Sequence, residues 1–338
     1  MGMKRSTIKK LLTKKLFSWQ ESIEDQAVKT AVKDNTIVSG GCIASMLMGD
    51  PINDYDLYFR TRETAELVAN YYITQFNKTK GQLEHTASRS INPTVESCNV
   101  VNLRGEEENR IVIMMKSSGV ASETQEAYAY FENQENQKPE DTFMASLKAD
   151  YGYESLQSDA IGVAAELAKE FKGQPGVKTP HKTPYRPIFL TDNAITLSDG
   201  VQLVIRFYGT PSEIHDNYDF AHAMCYYDWS TDTLVTPEES LICMLSKDLV
   251  YKGSLYPLCS LMRTRKFIAR GWRISAGQML KIASQVQKID FSDPSVLREQ
   301  LMGVDAAYMY ELINAIKSHQ GKIDDTYLAK LIDEVFDQ

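Results

Sequence analysis

Apolar residues recur at helical spacing near the start of the chain, where Leu11, Leu12, Leu16 and Trp19 stand among lysines. That pattern predicts an amphipathic helical segment over residues 4–35. A short β-branched run, Thr36-Ile37-Val38-Ser39, is broken by Gly40-Gly41. Residues 42–48 then carry apolar side chains at helical spacing and stop at Gly49, so strand, glycine turn and helix follow one another. Past the turn signal Pro51-Ile52-Asn53, residues 54–60 alternate with period two. Asp54, Asp56 and Tyr58 fall on one face of this predicted strand, and Tyr55, Leu57 and Phe59 on the other. Thr61 is a natural N-cap for a helix whose apolar stripe is Leu67, Val68, Tyr71, Tyr72 and Phe76.

Residues 98–103 and 110–116 read as a strand pair around the polar turn at 105–108. From 117 to 187 the character changes: 122–141 is rich in Glu and Gln, 160–171 reads as a helix, and 173–187 is broken by prolines and glycines. β-type sequence returns at 188–190, 194–197 and 201–208, a short helix is predicted at 212–217, and a strand at 218–227. After Pro237 the pattern predicts helices over 238–251, 255–270, 275–286, 295–301, 306–318 and 326–336. The expected organisation is an N-terminal helical segment (1–35), an α/β head in two parts (36–116 and 188–235), an insertion or mobile subdomain (117–187) and a helical C-terminal domain (236–338). No internal repeat is evident.

Composition narrows the class. The chain has 338 residues, 43% hydrophobic and 24% charged, which excludes wholesale disorder. No apolar run approaches the roughly 20 residues of a membrane helix, and the basic first 15 residues lack a signal-peptide core. A soluble protein of the cytoplasm is expected. The net charge of −8 argues against coating duplex nucleic acid nonspecifically, because such binding depends on neutralising phosphates. Five scattered cysteines without CxxC spacing predict free thiols, most of them buried, and neither a zinc site nor a disulfide framework.

The candidate chemistry lies in Ser39-Gly40-Gly41 and Asp54-Tyr55-Asp56. Carboxylates at i and i+2 of a strand project from the same face, and like charges that close need a counter-cation. Oxygen ligands of this kind suit Mg²⁺ together with substrate phosphates. A glycine turn opening a helix offers backbone N–H groups and lets a polyphosphate approach. Together the two features suit phosphoryl or nucleotidyl transfer. Asp219 is an acid inside an apolar stretch, which is costly unless it is paired or metal-bound. Arg263, Lys266 and Arg270 follow i, i+3, i+7 on one predicted helix face, a cluster that an anion would relieve. Leu261, Phe267 and Ile268 are its expected buried stripe, and Arg206 shares a predicted strand face with Gln202 and Val204. His215 and His222 read as structural, since this chemistry needs no histidine.

The segments at 38–49 and 53–59 resemble the core of the DNA polymerase beta-like nucleotidyltransferase superfamily, nearest in pattern to bacterial tRNA nucleotidyltransferases and poly(A) polymerases. Residues 201–206, 218–220 and 261–272 resemble later parts of that core, and the whole is similar to nucleotidyltransferase-like proteins often encoded by bacteriophages. The resemblance covers about 30–80 and 188–275, and departs from the tRNA enzymes at Ala44-Ser45, where they carry Arg-Asp. It implies transfer of a nucleoside monophosphate from an NTP to a hydroxyl, with RNA or a tRNA 3′ end as acceptor. Asp54, Asp56 and Asp219 would bind two Mg²⁺ ions, or Mn²⁺, and do the catalysis. Ser39, Gly40, Gly41, Arg206, Arg263, Lys266 and Arg270 would bind the nucleotide. A phage-encoded protein would act in the host cytoplasm or reside in the virion. Two other readings stay open: a protein that kept the fold and lost the reaction, and a transferase acting on a protein or small molecule.

Overall fold

A computed structural model describes residues 2–79, 91–101, 105, 107–117 and 184–290, with 296, 300, 326–327 and 329–330. The insertion's interior, the predicted helix at 160–171 and most of the three last predicted helices lie outside these residues. The predicted N-terminal helical segment is two helices, α1 (Arg5–Ser22) and α2 (Gln26–Asn35). The break comes from Asp25, whose carboxylate accepts hydrogen bonds from the backbone N–H groups of Ala27 and Val28 and so starts a new helix. α1 buries Ile8, Leu12, Leu16 and Trp19, while Leu11 stays exposed. The Trp19 indole donates to the Tyr72 hydroxyl at 2.7 Å, tying α1 to the helix that holds Tyr72. Lys15 lies over the rings of Tyr55 and Tyr185, and Lys9 pairs with Asp232, so these two lysines contact other parts of the fold.

β1 (Thr36–Ser39), α3 (Gly41–Met48), β2 (Tyr55–Phe59) and α4 (Arg62–Thr79) follow in the expected order. Gly49 closes α3 in the left-handed conformation, and the Thr61 hydroxyl caps α4 by accepting from the Thr64 N–H. β3 (Ile91–Val101) and β4 (Glu107–Ser117) form a hairpin longer than its sequence pattern predicts. Next come β5 (Pro187–Leu190), β6 (Ala194–Leu197), β7 (Val201–Tyr208), α5 (Pro211–His215), β8 (Tyr226–Asp228) and β9 (Thr233–Val235). The main sheet is mixed, in the order β5-β6-β7-β2-β1-β8-β9. Within it β2 and β7 pair in parallel and the other neighbours are antiparallel. The protein is thus of the mixed α/β class its sequence predicts.

Period two sorts the central strands as expected. Val38, Leu57, Phe59, Leu203 and Ile205 join the main core with α1 to α4. Ile37 and Tyr58 pack with Ile214 on the opposite face, joined by Val204, Phe207, Tyr218 and Tyr226. That second face carries Ser39 and Asp56, because the two residues are register partners in the β1–β2 pair.

Two predicted elements are corrected. Residues 218–227 are not one strand. A single bridge joins Phe220 to Tyr251, a 3₁₀ turn takes Ala221–Ala223, and only β8 is extended. The alternating pattern there arises because this loop lays its backbone against residues 250–252: the Ala221 N–H donates to Val250 O, and the Lys252 N–H to Asp219 O. The helix predicted over 238–251 stops early, as α6 (Glu238–Ser246). Lys247 turns left-handed at φ 53°, and β10 (Asp248–Leu249) then pairs in parallel with β11 (Arg273–Ile274). α7 (Pro257–Ala269) and α8 (Ala276–Val286) match their predicted positions. The buried face of α7 is Leu258, Cys259, Ser260 and Thr264, with Phe267 packed on the core; Leu261 and Ile268 are exposed, against expectation. Among the described residues, the five cysteines are free and only Cys98 is exposed, and no helix is long and apolar enough to cross a membrane.

Candidate active site

The site forms where β1 turns into α3 over the start of β2. Gly40 adopts φ 99°, ψ −156°, a conformation that a side-chain-bearing residue rarely takes. A Cβ there would lie 2.8 Å from Asp56 Oδ2 and 3.5 Å from the Tyr218 hydroxyl. The turn's backbone is therefore pressed against the Asp56 carboxylate. At Gly41, the first residue of α3, a Cβ would meet nothing within 4 Å. The close approach falls on the first glycine of the pair alone.

Asp56 is half-buried, and burial pushes its carboxyl up first, with the neighbouring charge of Asp54 adding to the effect and Arg263 opposing it. Asp54 itself is exposed at the entrance to β2. The hydroxyls of Tyr58 and Tyr218 are also pushed up, by burial and then by neighbours that include Asp56.

Asp219 is 7% exposed and leaves the loop after α5. Its Oδ2 accepts from Nη1 of Arg263 at 2.8 Å, so the predicted third acid is already engaged by a cation of α7. Asp219 in turn holds the guanidinium firmly charged. Among the described residues, no group of three or more His, Cys, Asp and Glu side chains is gathered to hold a metal.

Ser39 is fully buried, and its hydroxyl donates to Cys225 O at 3.2 Å. It lies 2.9 Å from Nε2 of His215, so that ring nitrogen carries the proton and donates to Ser39 Oγ. The assignment agrees with the neutral state of His215, whose pKa is lowered to about 4 by burial. Ser39 thus anchors the turn through its side chain instead of presenting it to a ligand. His222 sits in an aromatic nest, its ring 4.6 Å from that of Phe267 and 4.4 Å from that of Trp272.

The structure brings together Ser39, Gly40, Asp54, Asp56 and Arg263, and Asp219 pairs with Arg263. Arg206 is directed elsewhere: it is 3.5 Å from Glu108 Oε1 and lies over the rings of Phe207 and Tyr256. A bulge moves it there, since the Ile205 and Arg206 N–H groups both donate to Asn193 O, which shifts the alternation of β7. Lys266 and Arg270 are exposed, and Arg270 lies just past the last residue of α7. Of the predicted three-cation face, only Arg263 meets the site. Sequence reasoning missed Tyr218, whose hydroxyl is buried beside Gly40; its place next to Asp219 in the chain is the only signal there was.

No curated protein matches the sequence. Among solved structures, the chain is similar to the CCA-adding enzyme of Thermotoga maritima complexed with tRNA, at a TM-score of 0.36 and 11% identity. That match covers 95% of this chain, which spans 65% of the enzyme's length. The model of a protein family, described as Gabija anti-defense 2 family protein, matches residues 10–247. The matched stretch contains Ser39, Gly40, Gly41, Asp54, Asp56, Arg206 and Asp219 and ends before α7 with its Arg263. Because the match takes in most of the chain and both sides of the glycine turn, the protein belongs to the Gabija anti-defense 2 family.

Proposed function

We propose that the protein is a metal-dependent nucleotidyltransferase that moves a nucleoside monophosphate from an NTP to a hydroxyl. The observation that carries this reading is the contact between the Gly40 turn and Asp56, which puts bare backbone at a helix start beside a strand carboxylate. The site fits a hard divalent cation. The donors are carboxylate oxygens, and the space at Gly40 is one that a Cβ would fill. Asp54 and Asp56 would hold the cation. When bound, it would supply positive charge to the phosphate oxygens. The Gly40–Gly41 backbone would receive the β- and γ-phosphates, and α3 would favour their charge through its N-terminal N–H groups. Arg263 would oppose the charge that develops as the acceptor oxygen bonds to the α-phosphorus and pyrophosphate leaves. Asp219 would keep Arg263 in place.

RNA, above all a tRNA 3′ end, is the acceptor this reading favours. Membership in a family named for anti-defense fits a transferase directed against a defence, and it leaves a protein acceptor as the alternative. Incubation with each α-³²P-labelled NTP, Mg²⁺ or Mn²⁺, and either total RNA or total protein tests the reading. Label is expected in one macromolecular pool and absent with Asp56→Asn. If no NTP labels either pool above the Asp56→Asn background, the transferase reading falls. One observation favours the rival, a binding protein without the reaction: Asp219 is occupied by Arg263.

A further inference from the structure

We propose that the cleft between residues 251–253 and α8 is a second binding site, for a phosphate-bearing ligand of nucleotide size. It uses none of the residues of the Gly40 turn or its acids, and it stands whether or not the transferase reading does.

Glutamines of α8 and a glycine opposite them build the cleft. Gln278 and Gln285, seven residues apart on α8, both reach the segment after β10. Gln278 Oε1 accepts from the Tyr251 N–H at 2.9 Å. Gln285 Oε1 accepts from the Tyr251 hydroxyl and, at 3.2 Å, from the Ser254 N–H. A backbone N–H can only donate, so these bonds settle which end of the Gln285 amide is oxygen. Its nitrogen is turned to Gly253, where a Cβ would lie 3.5 Å from Nε2. Gly253 is at φ 106°, a conformation that keeps this position free of a side chain. A fixed amide donor thus stands beside bare backbone.

The rest of the lining has the same polarity. Lys252, Lys281 and Ser284 join Gln285 around a cavity of about 410 Å³, and among the described residues no acidic side chain lines it. Ammonium, amide and hydroxyl hydrogens gathered around one space suit an oxyanion. Lys252 also pairs with Glu239 at 2.9 Å, so Lys281 is the charge the cleft offers a ligand. The volume far exceeds a single phosphate and falls within the roughly 300–1,000 Å³ of sites for small organic molecules. Leu280, 67% exposed, supplies an apolar wall, and at Gly277 a Cβ would meet nothing within 4 Å. The donors would hold the phosphate, and the apolar wall and bare backbone would take the organic part. The Lys252 N–H donates to Asp219 O at 2.8 Å, so a ligand here would also brace the segment that carries Asp219.

The test is acetylation of lysines on the full chain in chelator, read by mass spectrometry, with ATP or the ribotrinucleotide ApApA as probe. One of the probes at saturation should slow acetylation of Lys281 at least about threefold and leave Lys288, exposed just beyond α8, unchanged. Lys281→Glu should weaken binding of that probe at least about tenfold, and Lys288→Glu should leave it within about twofold. Gly277→Leu has room and a helical position, so it should fold and block the cleft. Protection by ATP alone marks a free nucleotide as the source of the phosphate, and protection by ApApA marks the phosphodiester of RNA. Lys281 unprotected by both probes, or protected no more than Lys288, would overturn the proposal. Loss of the protection in Asp56→Asn would overturn it too, by placing the ligand at the Gly40 turn. Protection of Lys281 with no label transferred would leave this site standing and remove the transferase reading.

Discussion

Gly40 and Asp56 are in contact across the β1–β2 pair: a Cβ on the glycine would lie 2.8 Å from the carboxylate Oδ2. Gly40→Ala must therefore either move Asp56 or strain a backbone held at φ 99°. It should cost about 1–3 kcal/mol of stability and weaken NTP binding. Gly41→Ala, with open space and a helical position, should be neutral or stabilising by about 0.5 kcal/mol. Urea unfolding and NTP titration of the two variants check the asymmetry; equal losses would show that the turn has no preferred glycine.

Asp56→Asn should stabilise the metal-free protein. The folded-state carboxyl is raised above its ordinary value of 3.8, so the folded chain binds more protons than the unfolded one and loses stability as pH rises past that value. Removing the charge should raise the thermal midpoint at pH 7 by about 2–4 °C, with the gain fading toward pH 4. Calorimetry in chelator at both pH values reads this directly. A lower midpoint for the variant at pH 7 would mean that the carboxylate is already well compensated.

Ser39→Ala should destabilise the fold by about 1–3 kcal/mol, because it leaves Cys225 O and the His215 Nε2–H without a buried partner. NTP affinity should stay within about twofold of wild type in the folded variant. A large loss of affinity at unchanged stability would return the hydroxyl to the list of phosphate contacts.

His222→Phe should flatten the acid limb of stability. His222 has a folded pKa lowered to about 4 by burial, from an ordinary 6.5. Between those values the unfolded chain takes up a proton that the folded one refuses, so stability falls as the solution is acidified from 6.5 toward 4. The ring cluster with Phe267 and Trp272 accepts phenylalanine in place of imidazole. The variant should keep about 1–2 kcal/mol more stability than wild type at pH 5, relative to their difference at pH 8. His215, lowered for the same reason, leaves part of the slope in place.

The elements from β1 to α4 were legible residue by residue. Each is set by signals a few positions apart: the period-two alternation of β2, the Thr61 cap of α4 and the left-handed Gly49 after α3. The same alternation puts Asp56 on one face with Tyr58, whereas Asp54, expected on that face, stands before the first residue of β2. The failures share a cause. Residues 218–227 and 247–251 are shaped by each other, through the Phe220–Tyr251 bridge and the bonds beside it, and no local period encodes a partner some 30 residues away. Arg206 left its predicted face because of a bulge against Asn193, in the turn between β5 and β6.

By itself, the sequence determined that a glycine turn opens a helix next to an acidic strand, since backbone conformation and side-chain alternation are local properties. Only the tertiary structure decided which glycine meets Asp56, that Ser39 turns its hydroxyl to His215, and that Asp219 is held by Arg263, 44 residues further on. Those relations depend on which elements the hydrophobic core brings together. Burial then makes each of these polar groups take whatever partner that packing places within reach.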